Sequence, residues 1–498
     1  MKILFKHLLI MSLLFASIAN AKDYNILDFG AKPNSNELNT LAIQSAINAA
    51  HNENNSRVII PKGAFLTGSI ILKSNVTLHL EKGAKLKGST NVEDYSYLSN
   101  TTATFHWKSL ILALSSDNIK ITGKGEIDGN GSQLALNIDS LFYAGKLDSS
   151  LYQLKEKRPV AHSRPQLIQF VFCKNISIAG VTIKNSSSWT QTYDMCENLV
   201  IDNVKVVSVA YWNNDGIDII DCKNVRITNT FVNASDDGIC LKSYKRKGNI
   251  KAKCDSIYIG NCVVRSSASA IKLGTSSFGG FTNITIENIK VYDTYRSAIA
   301  LESWETGILE NILVQNITAI NTGNALFIRL GKRDKYTSIQ NGTLKNVTIR
   351  NVRASIPFIQ PDYKYPLRGP ALPFFHNVFP VSITGIPNAY VENVTLENIT
   401  ITYPGQGLES YAHAPIYRLS HIPENAGDYP EFSMFGELPA WGLYVRHVNG
   451  IIIRDLTLKI KDSDYRPAMV FDDVQDLLLE SYRVKGDKKV KNVIIHPK

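Results

Sequence analysis

The sequence lacks the features that define several common protein classes. Beyond its first 21 residues it has no stretch of about 18 consecutive apolar residues, so we find no candidate transmembrane helix. It has no Cys-x-x-Cys pair and no histidines at zinc-ligand spacing. It also has no phosphate-binding loop and no nucleotide-binding fingerprint. We therefore expect no metal, no cofactor and no insertion into a membrane.

Residues 1–21 have the composition of a secretory signal peptide. Lys2 and Lys6 form a basic start, residues 8–18 form an apolar run, and residues 19–21 (Ala-Asn-Ala) form a small-residue cleavage site. The apolar run is too short to span a bilayer. We expect this segment to be removed and the mature chain to be exported, to the periplasm or to the extracellular space.

Acidic residues are fewer than basic ones. The chain has 44 Asp and Glu against 54 Lys and Arg, which gives a formal net charge of +10. A basic surface suits an anionic partner, although it also serves solubility alone. For an exported protein we expect that partner to be an acidic polysaccharide or oligosaccharide, and not nucleic acid.

A short pattern recurs along most of the chain, in which an Asn precedes residues that alternate between apolar and polar. Copies begin at Asn175, Asn198, Asn224, Asn283, Asn311, Asn346, Asn393 and Asn492, with weaker copies near Asn75 and Asn118. Short strands at a period of about 20–30 residues, with few helices and few hairpin turns between them, predict an all-β parallel solenoid. Its core would be inward-facing Ile, Val and Leu. Each Asn would occupy a left-handed corner and hydrogen-bond along its own column.

One solenoid domain accounts for residues 22–498. Its open ends need covering, and residues 40–50 have the apolar spacing of an amphipathic helix that we expect to cap the N-terminal end. Residues 125–165 lack repeat strands. Residues 354–388 and 403–440 are rich in proline and aromatics, and loops of this length in a repeat fold usually wall a binding groove.

Of six cysteines, five recur at intervals close to one coil of this repeat: Cys173, Cys196, Cys222, Cys240 and Cys262. The sixth, Cys254, lies between the last two. We expect most of them to be small buried residues that stack on one another. A single disulfide is compatible with an oxidising compartment, and Cys240–Cys262 is the pair that we select.

Two Asp-Gly-Ile corners indicate a candidate site. Asp215 and Asp237 are 22 residues apart (237 − 215), and Asp236 stands beside the second. If 22 residues make one coil, the corners lie on neighbouring rungs about 4.8 Å apart, so three carboxylates share one patch. Carboxylates this close cannot all ionise at their reference pKa. One protonated acid beside ionised partners is what acid/base cleavage of a glycosidic bond requires.

Aligning successive coils by the small residue and the Ile or Leu that follow each corner predicts how their residues stack. The corner column is Asp215, Asp237, Ser269, Ser297 and Asn324, and the inward column is Ile217, Ile239, Ile271 and Ile299. The first outward column is Asp218, Cys240, Lys272, Ala300 and Phe327, and the second is Ile220, Lys242, Gly274, Glu302 and Arg329. Cationic side chains beside the aspartates can bind carboxylate or sulfate groups of a substrate. The alternative is a Lys–Glu–Arg ladder that neutralises itself.

With these residues identified, the chain resembles the polygalacturonases of glycoside hydrolase family 28, in particular their bacterial members. The family's Asn-x-Asp corner matches residues 213–215, and its Asp-Asp pair matches Asp236 and Asp237. Weaker matches lie at residues 28–31, 58–63, 164–168 and 430–448. The resemblance implies a right-handed parallel β-helix that hydrolyses galacturonate-containing pectin with inversion. It implies that Asp236 is the general acid and that Asp215 and Asp237 position and deprotonate the attacking water.

Two family motifs are substituted. The family's Gly-His-Gly falls on residues 268–270, so the usual histidine is Ser269. Its Arg-x-Lys, a clamp for the uronate carboxylate, falls on residues 300–302, where Glu302 would repel a carboxylate. Either the sugar beside the scissile bond is not a uronate, or a cation from a neighbouring rung replaces the clamp. The candidates for such a cation are Lys242, Lys272 and Arg329.

The sequence thus predicts an exported glycosidase that acts on an acidic or sulfated plant or algal polysaccharide or on its oligosaccharides. The alternative is a lyase or dehydratase in which Lys242 or Lys272 abstracts a proton next to a uronate carboxylate. A third hypothesis is a non-catalytic carbohydrate-binding solenoid. Elimination forms an ultraviolet-absorbing unsaturated uronate and hydrolysis does not, so one spectrum separates the first two.

Overall fold

The computed structural model describes residues 22–498, apart from residues 54, 99–106, 248–251, 334–340, 364, 366–376, 378, 411–415, 417, 487–489 and 497–498. The predicted signal peptide, residues 1–21, therefore lies outside the described residues. In the described part of the chain, no helix is both long enough and apolar enough to cross a membrane.

The described residues form two α-helices and 33 strands, and 31 of these strands belong to one sheet. The helices are α1 Thr40–Asn52 and α2 Gly131–Tyr143. The strands of the N-terminal half are β1 Asp23–Asn25, β2 Ser56–Ile60, β3 Gly63–Thr67, β4 Ile70–Ile71, β5 Val76–Leu80, β6 Ala84–Gly88, β7 Ser109–Leu114, β8 Lys120–Gly123, β9 Glu126–Asp128, β10 Tyr152–Gln153, β11 Arg158–Pro159, β12 Gln166–Val171, β13 Lys174–Ala179, β14 Thr182–Lys184, β15 Gln191–Asp194, β16 Glu197–Asp202, β17 Lys205–Ser208, β18 Ile217–Ile220, β19 Lys223–Thr228, β20 Phe231–Ala234 and β21 Ile239–Ser243. The remaining strands are β22 Cys254–Gly260, β23 Val263–Ser266, β24 Ile271–Ser277, β25 Gly280–Ser303, β26 Ile308–Leu330, β27 Thr343–Ser355, β28 Val381–Thr384, β29 Val391–Tyr403, β30 Leu443–Ile460, β31 Met469–Leu479, β32 Tyr482–Lys485 and β33 Val493–His496.

Strands of the large sheet pair in parallel with the equivalent strand of the next coil. For example, β15 pairs with β18, β18 with β21, β21 with β24, and β24 with β25. Coil-on-coil parallel pairing defines a parallel β-helix, so the predicted all-β solenoid is confirmed. That the coil winds to the right stays a prediction.

The predicted register holds for the inward column and for the first outward column. Ile217, Ile239, Ile271 and Ile299 pair in sequence and are buried in the core, and Asp218, Cys240, Lys272, Ala300 and Phe327 pair likewise. The second outward column is interrupted, because β21 and β24 shift register between Leu241 and Ser243. Lys242 still pairs with Ile220, and Glu302 with Arg329, but Gly274 does not stand opposite Lys242.

Asparagine ladders line the corners of the coils, as predicted. Asn118 donates to the side chain of Asn75, Asn175 to Asn118, Asn198 to Asn175, and Asn224 to Asn198. All five residues have φ between 54° and 64°, in the left-handed region that Asn tolerates better than most side chains. A second ladder runs through Asn288, Asn316, Asn351 and Asn398.

All six cysteines are free and buried, so the predicted Cys240–Cys262 disulfide is wrong. Cys262 packs in the hydrophobic core with the other four cysteines, and its thiol donates to the Gly260 carbonyl oxygen at 3.3 Å. Cys240 lies outside this core in the first outward column, and its thiol donates to the Gly274 carbonyl oxygen at 3.3 Å. The two thiols therefore occupy different faces of the coil. The expected stacking of most cysteines is present.

The helix expected at residues 40–50 is α1. Its buried face, Ile43, Ala46, Ile47 and Ala50, follows helical spacing and packs against β1, β2 and β4. Helix α2 was not predicted, although its buried residues Leu134 and Ile138 are also four apart. It lies in the segment 125–165 that was predicted to lack repeat strands. That prediction is wrong at the start of the segment, because β9 pairs in parallel with β6 and β14.

The two aromatic loops meet on one face of the solenoid. Phe379 from the first loop and Phe432 from the second have ring centres 5.2 Å apart, and both pack on Ala300 and Phe327. Those two residues belong to the first outward column, which begins beside the Asp-Gly-Ile corners. Phe379 and Phe432 therefore lie beside the outward column of the candidate site, and that the two loops wall a binding groove stays a prediction.

Candidate active site

The two Asp-Gly-Ile corners lie on neighbouring coils, directly before β18 and β21. The Gly216 amide donates to the carbonyl oxygen of Asp237 at 2.9 Å, which holds the corners together. A Cβ on Gly216 would lie 2.5 Å from the Gly238 carbonyl oxygen, so this approach requires glycine. One carboxylate oxygen from each of Asp215, Asp236 and Asp237 lies within 4.8 Å of the other two. The spacing of the corners thus brings three carboxyl groups together.

Asp215 shares its cation with a second buried carboxyl group. Lys242 Nζ lies 3.2 Å from Asp215 Oδ2, 2.6 Å from Asp218 Oδ1 and 4.5 Å from the centre of the Trp189 ring. Burial raises the pKa of both carboxyl groups, to about 6 for Asp218, although Lys242 lowers each pKa. Because one ammonium group faces two buried carboxyl groups, the pair retains a proton to higher pH than free aspartates do.

Asp237 has surroundings that stabilise its ionised form. Its Oδ1 accepts a hydrogen bond from the Ser269 amide at 3.1 Å, and Lys272 Nζ lies 3.4 Å from its Oδ2. Burial by itself raises the pKa of Asp237, but Lys272, Lys242 and Arg296 outweigh burial and lower the pKa overall. Asp237 is therefore the carboxyl group of the three that ionises most readily.

Asp236 is partly exposed, and it holds its proton more tightly than Asp237 does. Burial and the adjacent Asp237 raise the pKa of Asp236. Its Oδ2 accepts a hydrogen bond from Asn213 Nδ2 at 3.5 Å, and Asn213 Oδ1 accepts one from Arg164 Nη2 at 2.7 Å. Arg164 is fully buried and also donates to the Trp212 carbonyl oxygen at 2.6 Å. Arg164 thus fixes the corner against which Asp236 lies.

Glu302, at a position of the missing cationic clamp, is buried and paired. Its Oε2 lies 3.8 Å from Lys272 Nζ and accepts a hydrogen bond from Thr275 Oγ1 at 3.2 Å. Burial raises the pKa of Glu302 to about 7, although Lys272 lowers it. Lys272 also donates to the Tyr429 hydroxyl at 2.9 Å. The Lys–Glu part of the self-neutralising ladder is therefore present.

Arg329 does not take part in that pair. It is 1% exposed, and its guanidinium donates to the carbonyl oxygens of Gly385 at 2.7 Å and Glu424 at 2.5 Å. Its guanidinium also lies 5.1 Å from the centre of the Phe435 ring. Arg329 thus anchors the loop at residues 403–440, and its predicted contact with substrate stays a prediction.

Four residues at this site were not predicted to belong to it: Arg164, Asp218, Arg296 and Tyr429. Asp218 had a signal, since it opens the first outward column, and Arg164 lies in one of the weaker family matches. Tyr429 was one of many aromatics in its loop. Nothing in the sequence pointed to Arg296, because it lies one residue before Ser297, where the aligned columns of its coil begin. Its Nε lies 3.2 Å from Glu431 Oε2.

The three carboxylates also satisfy the distances of a divalent-cation site. However, Lys242 and Lys272 each have an Nζ within 3.4 Å of one of these carboxylates, so the chain itself supplies positive charge. These ammonium groups would repel a divalent cation.

The raised pKa of Glu302 predicts a pH-dependent change in stability. Its pKa is about 7 in the folded protein against 4.5 for an ordinary glutamate, so the folded state binds this proton more tightly. The resulting stabilisation is complete below the ordinary pKa and is lost as pH rises through the folded value. Glu302→Gln cannot ionise, so we expect its melting temperature to rise relative to the wild type between about pH 5 and about pH 8.

The matched control is Glu197→Gln, which removes a half-exposed glutamate that also pairs with a lysine, Lys174. It measures the effect of removing one lysine-paired carboxyl group that is not fully buried. A difference between Glu302→Gln and wild type that is constant with pH would contradict the assignment.

Known proteins that are similar to this chain include the members of one enzyme family and solved structures of similar fold. The profile of the family described as Glycosyl hydrolases family 28 matches residues 51–369. An exo-poly-alpha-D-galacturonosidase from Dickeya chrysanthemi is 26% identical over 439 residues, which cover 76% of this chain and 71% of that protein.

Two solved structures are similar in fold. The family 28 exopolygalacturonase of Yersinia enterocolitica has a TM-score of 0.66 at 20% identity, and the match covers 94% of this chain and 79% of the Yersinia chain. A hyperthermoactive exopolygalacturonase from Thermotoga maritima has a TM-score of 0.59 at 24% identity, and the match covers 77% of this chain and 87% of the Thermotoga chain. The family match spans more than half of the sequence and includes all three clustered aspartates. The chain therefore belongs to glycoside hydrolase family 28 and is a glycosidase.

Proposed function

We propose that this protein hydrolyses glycosidic bonds in a galacturonate-containing polysaccharide or its oligosaccharides by acid/base chemistry at Asp215, Asp236 and Asp237. The observation that carries the proposal is the difference between two adjacent carboxyl groups. The pKa of Asp236 is raised and that of Asp237 is lowered, so Asp237 ionises first and Asp236 keeps its proton to higher pH. A proton donor and a base side by side are the two groups that glycoside hydrolysis needs.

Each aspartate has a role that fits its surroundings. Asp236 is partly exposed, so it can reach the leaving-group oxygen and donate its proton. Asp237 is buried and ionised, which suits it to take a proton from the attacking water. Asp215 has a raised pKa and is held by Lys242, so we assign it to positioning that water.

The proposed substrate rests on charge and on relatives. Relatives of this chain are named exo-poly-alpha-D-galacturonosidase in Dickeya chrysanthemi and endo-polygalacturonase in Pectobacterium parmentieri. A formal net charge of +10 favours binding of a polyanion of this kind. We therefore propose an anionic, uronate-containing substrate.

Elimination by lysine is disfavoured at this site. A lysine that abstracts a proton must be neutral, which requires a lowered pKa. Burial does lower the pKa of Lys242 and Lys272, but their carboxylate neighbours outweigh it and raise both pKa values well above the ordinary value. Both lysines therefore stay protonated and cannot act as bases. Membership of a hydrolase family also favours hydrolysis over elimination. A non-catalytic carbohydrate-binding role would not require two adjacent aspartates whose pKa values are shifted in opposite directions.

Export, right-handed winding and capping by α1 also belong to the proposal. Export rests on the composition of residues 1–21, and the N-terminal residue of the protein recovered from its host tests it. Right-handed winding is the general rule for parallel crossover connections. Capping is supported by the contacts of α1 with β1 and β2, the first paired strands.

The first prediction from this mechanism concerns the proton donor. Asp236→Asn cannot donate a proton, so we expect the release of reducing ends from polygalacturonate to fall by about 100-fold or more. The melting temperature should stay near that of the wild type, because Asn keeps the shape of the side chain. Asp462→Asn, which replaces an exposed aspartate, is the control and should retain full activity. Turnover in Asp236→Asn equal to the wild type would contradict the assignment.

The second prediction concerns stereochemistry. The three aspartates have oxygens within 4.8 Å of one another, closer than the roughly 6.5–9.5 Å typical of inverting carboxyl pairs. We nevertheless propose inversion, which is what the resemblance to the family implies, with Asp215 and Asp237 acting on water and not on the sugar itself. Proton NMR of an α-linked oligogalacturonate at early times should show the β-anomer first. An α-anomer as first product would indicate a covalent intermediate and contradict this mechanism.

A further inference from the structure

One arginine at the edge of the carboxylate cluster has donors that the fold does not use. The side chain of Arg296, from β25, is 20% exposed, and its Nε lies 3.2 Å from Glu431 Oε2. Its guanidinium lies 5.9 Å from the centre of the Tyr429 ring. Within the described ranges, its Nη1 and Nη2 atoms donate to no other residue. Two parallel N–H donors on a planar group are the arrangement that binds a carboxylate.

Arg296 lies within electrostatic reach of both reacting carboxyl groups. Its positive charge lowers the pKa of Asp236 and of Asp237. Burial lowers the pKa of Arg296, but Tyr429, Glu431 and the aspartates outweigh burial and raise it, so the guanidinium stays charged. Tyr429 joins Arg296 to the cluster, because its ring centre lies 5.9 Å from the guanidinium and its hydroxyl accepts a hydrogen bond from Lys272, whose Nζ lies 3.4 Å from Asp237 Oδ2. An anion bound to Arg296 would therefore lie at the edge of the carboxylate cluster.

The other cations at this site are already engaged. Lys242 lies between Asp215 and Asp218, and Lys272, which is 2% exposed, contacts Asp237 and the Tyr429 hydroxyl. The guanidinium groups of Arg164 and Arg329 are buried and donate to carbonyl oxygens: those of Ser187 and Trp212 for Arg164, and those of Gly385 and Glu424 for Arg329. Among the cations that the structure describes beside the aspartates, Arg296 is thus the one that still has donors to offer.

We propose that Arg296 binds the carboxylate of the uronate beside the scissile bond and so replaces the cationic clamp that is missing at residues 300–302. Glu431 holds the guanidinium by an ion pair on its Nε side, and the Nη atoms are left for the ligand. Tyr429, which is 55% exposed, forms the adjoining wall against which a sugar ring can pack. Glu302 does not oppose this, because it is buried against Lys272. This inference rests on the proposed function.

The test compares two substrates that differ only at the uronate carboxyl group: an oligogalacturonate and its methyl ester. Removing a bidentate arginine should cost the acid about 10- to 100-fold in kcat/KM, mainly through KM. We expect Arg296→Gln to show this loss on the free acid and less than about a threefold loss on the ester, which has no carboxylate to bind. Arg454→Gln, which removes an exposed arginine that also pairs with a glutamate, is the control and should change neither.

Equal losses on acid and ester would overturn the inference, because they would show a structural or purely electrostatic role for Arg296. If Arg296→Gln melts well below the wild type, Arg296→Lys is the variant to measure. It keeps the positive charge but loses the two parallel N–H donors of the guanidinium. It should lose more on the acid than on the ester, and equal losses would again overturn the inference. Failure of the wild type to cleave oligogalacturonate would instead contradict the proposed function.

Discussion

Hydrogen bonds between successive coils are the constraint on which this structure depends. They fix neighbouring rungs about 4.8 Å apart, so side chains at equivalent positions must stack. In the core this gives an uninterrupted column of isoleucines, and at the corners it gives ladders of asparagine. At the Asp-Gly-Ile corners the same spacing places aspartates on top of one another. The backbone, and not any attraction between these side chains, brings the acids together.

Because the acids cannot move apart, their charge must be balanced locally. Lys242 and Lys272 come from the outward columns of the same coils and contact Asp215 and Asp237. Asp236 has no ion pair within 4.0 Å among the described residues, and its pKa is raised by burial and then by the adjacent ionised Asp237. Two consecutive residues thus acquire opposite tendencies to ionise. The sequence places them side by side, and the stacked neighbours make them different.

The features of the structure that the sequence predicts are those that repeat from coil to coil. The period gives the register, so the convergence of Asp215 with Asp237 and the position of Lys272 are predictable without coordinates. The disulfide prediction failed because a spacing of one coil does not reveal the face: Cys262 lies in the core and Cys240 in an outward column. The register shift after Leu241 is equally invisible to a periodic pattern. Arg296 and Tyr429 meet through a loop whose course is set by contacts such as that of Arg329 with Glu424, and the repeat does not encode these contacts.

The most direct test of this account is the protonation of the two adjacent aspartates. Protein labelled with ¹³C at the aspartate carboxyl carbons can be titrated by NMR, and the two signals can be assigned from their loss in Asp236→Asn and Asp237→Asn. The account predicts that Asp237 deprotonates below the ordinary aspartate pKa of 3.8 and Asp236 above it. Titration of both groups together at the ordinary value, or in the reverse order, would contradict it.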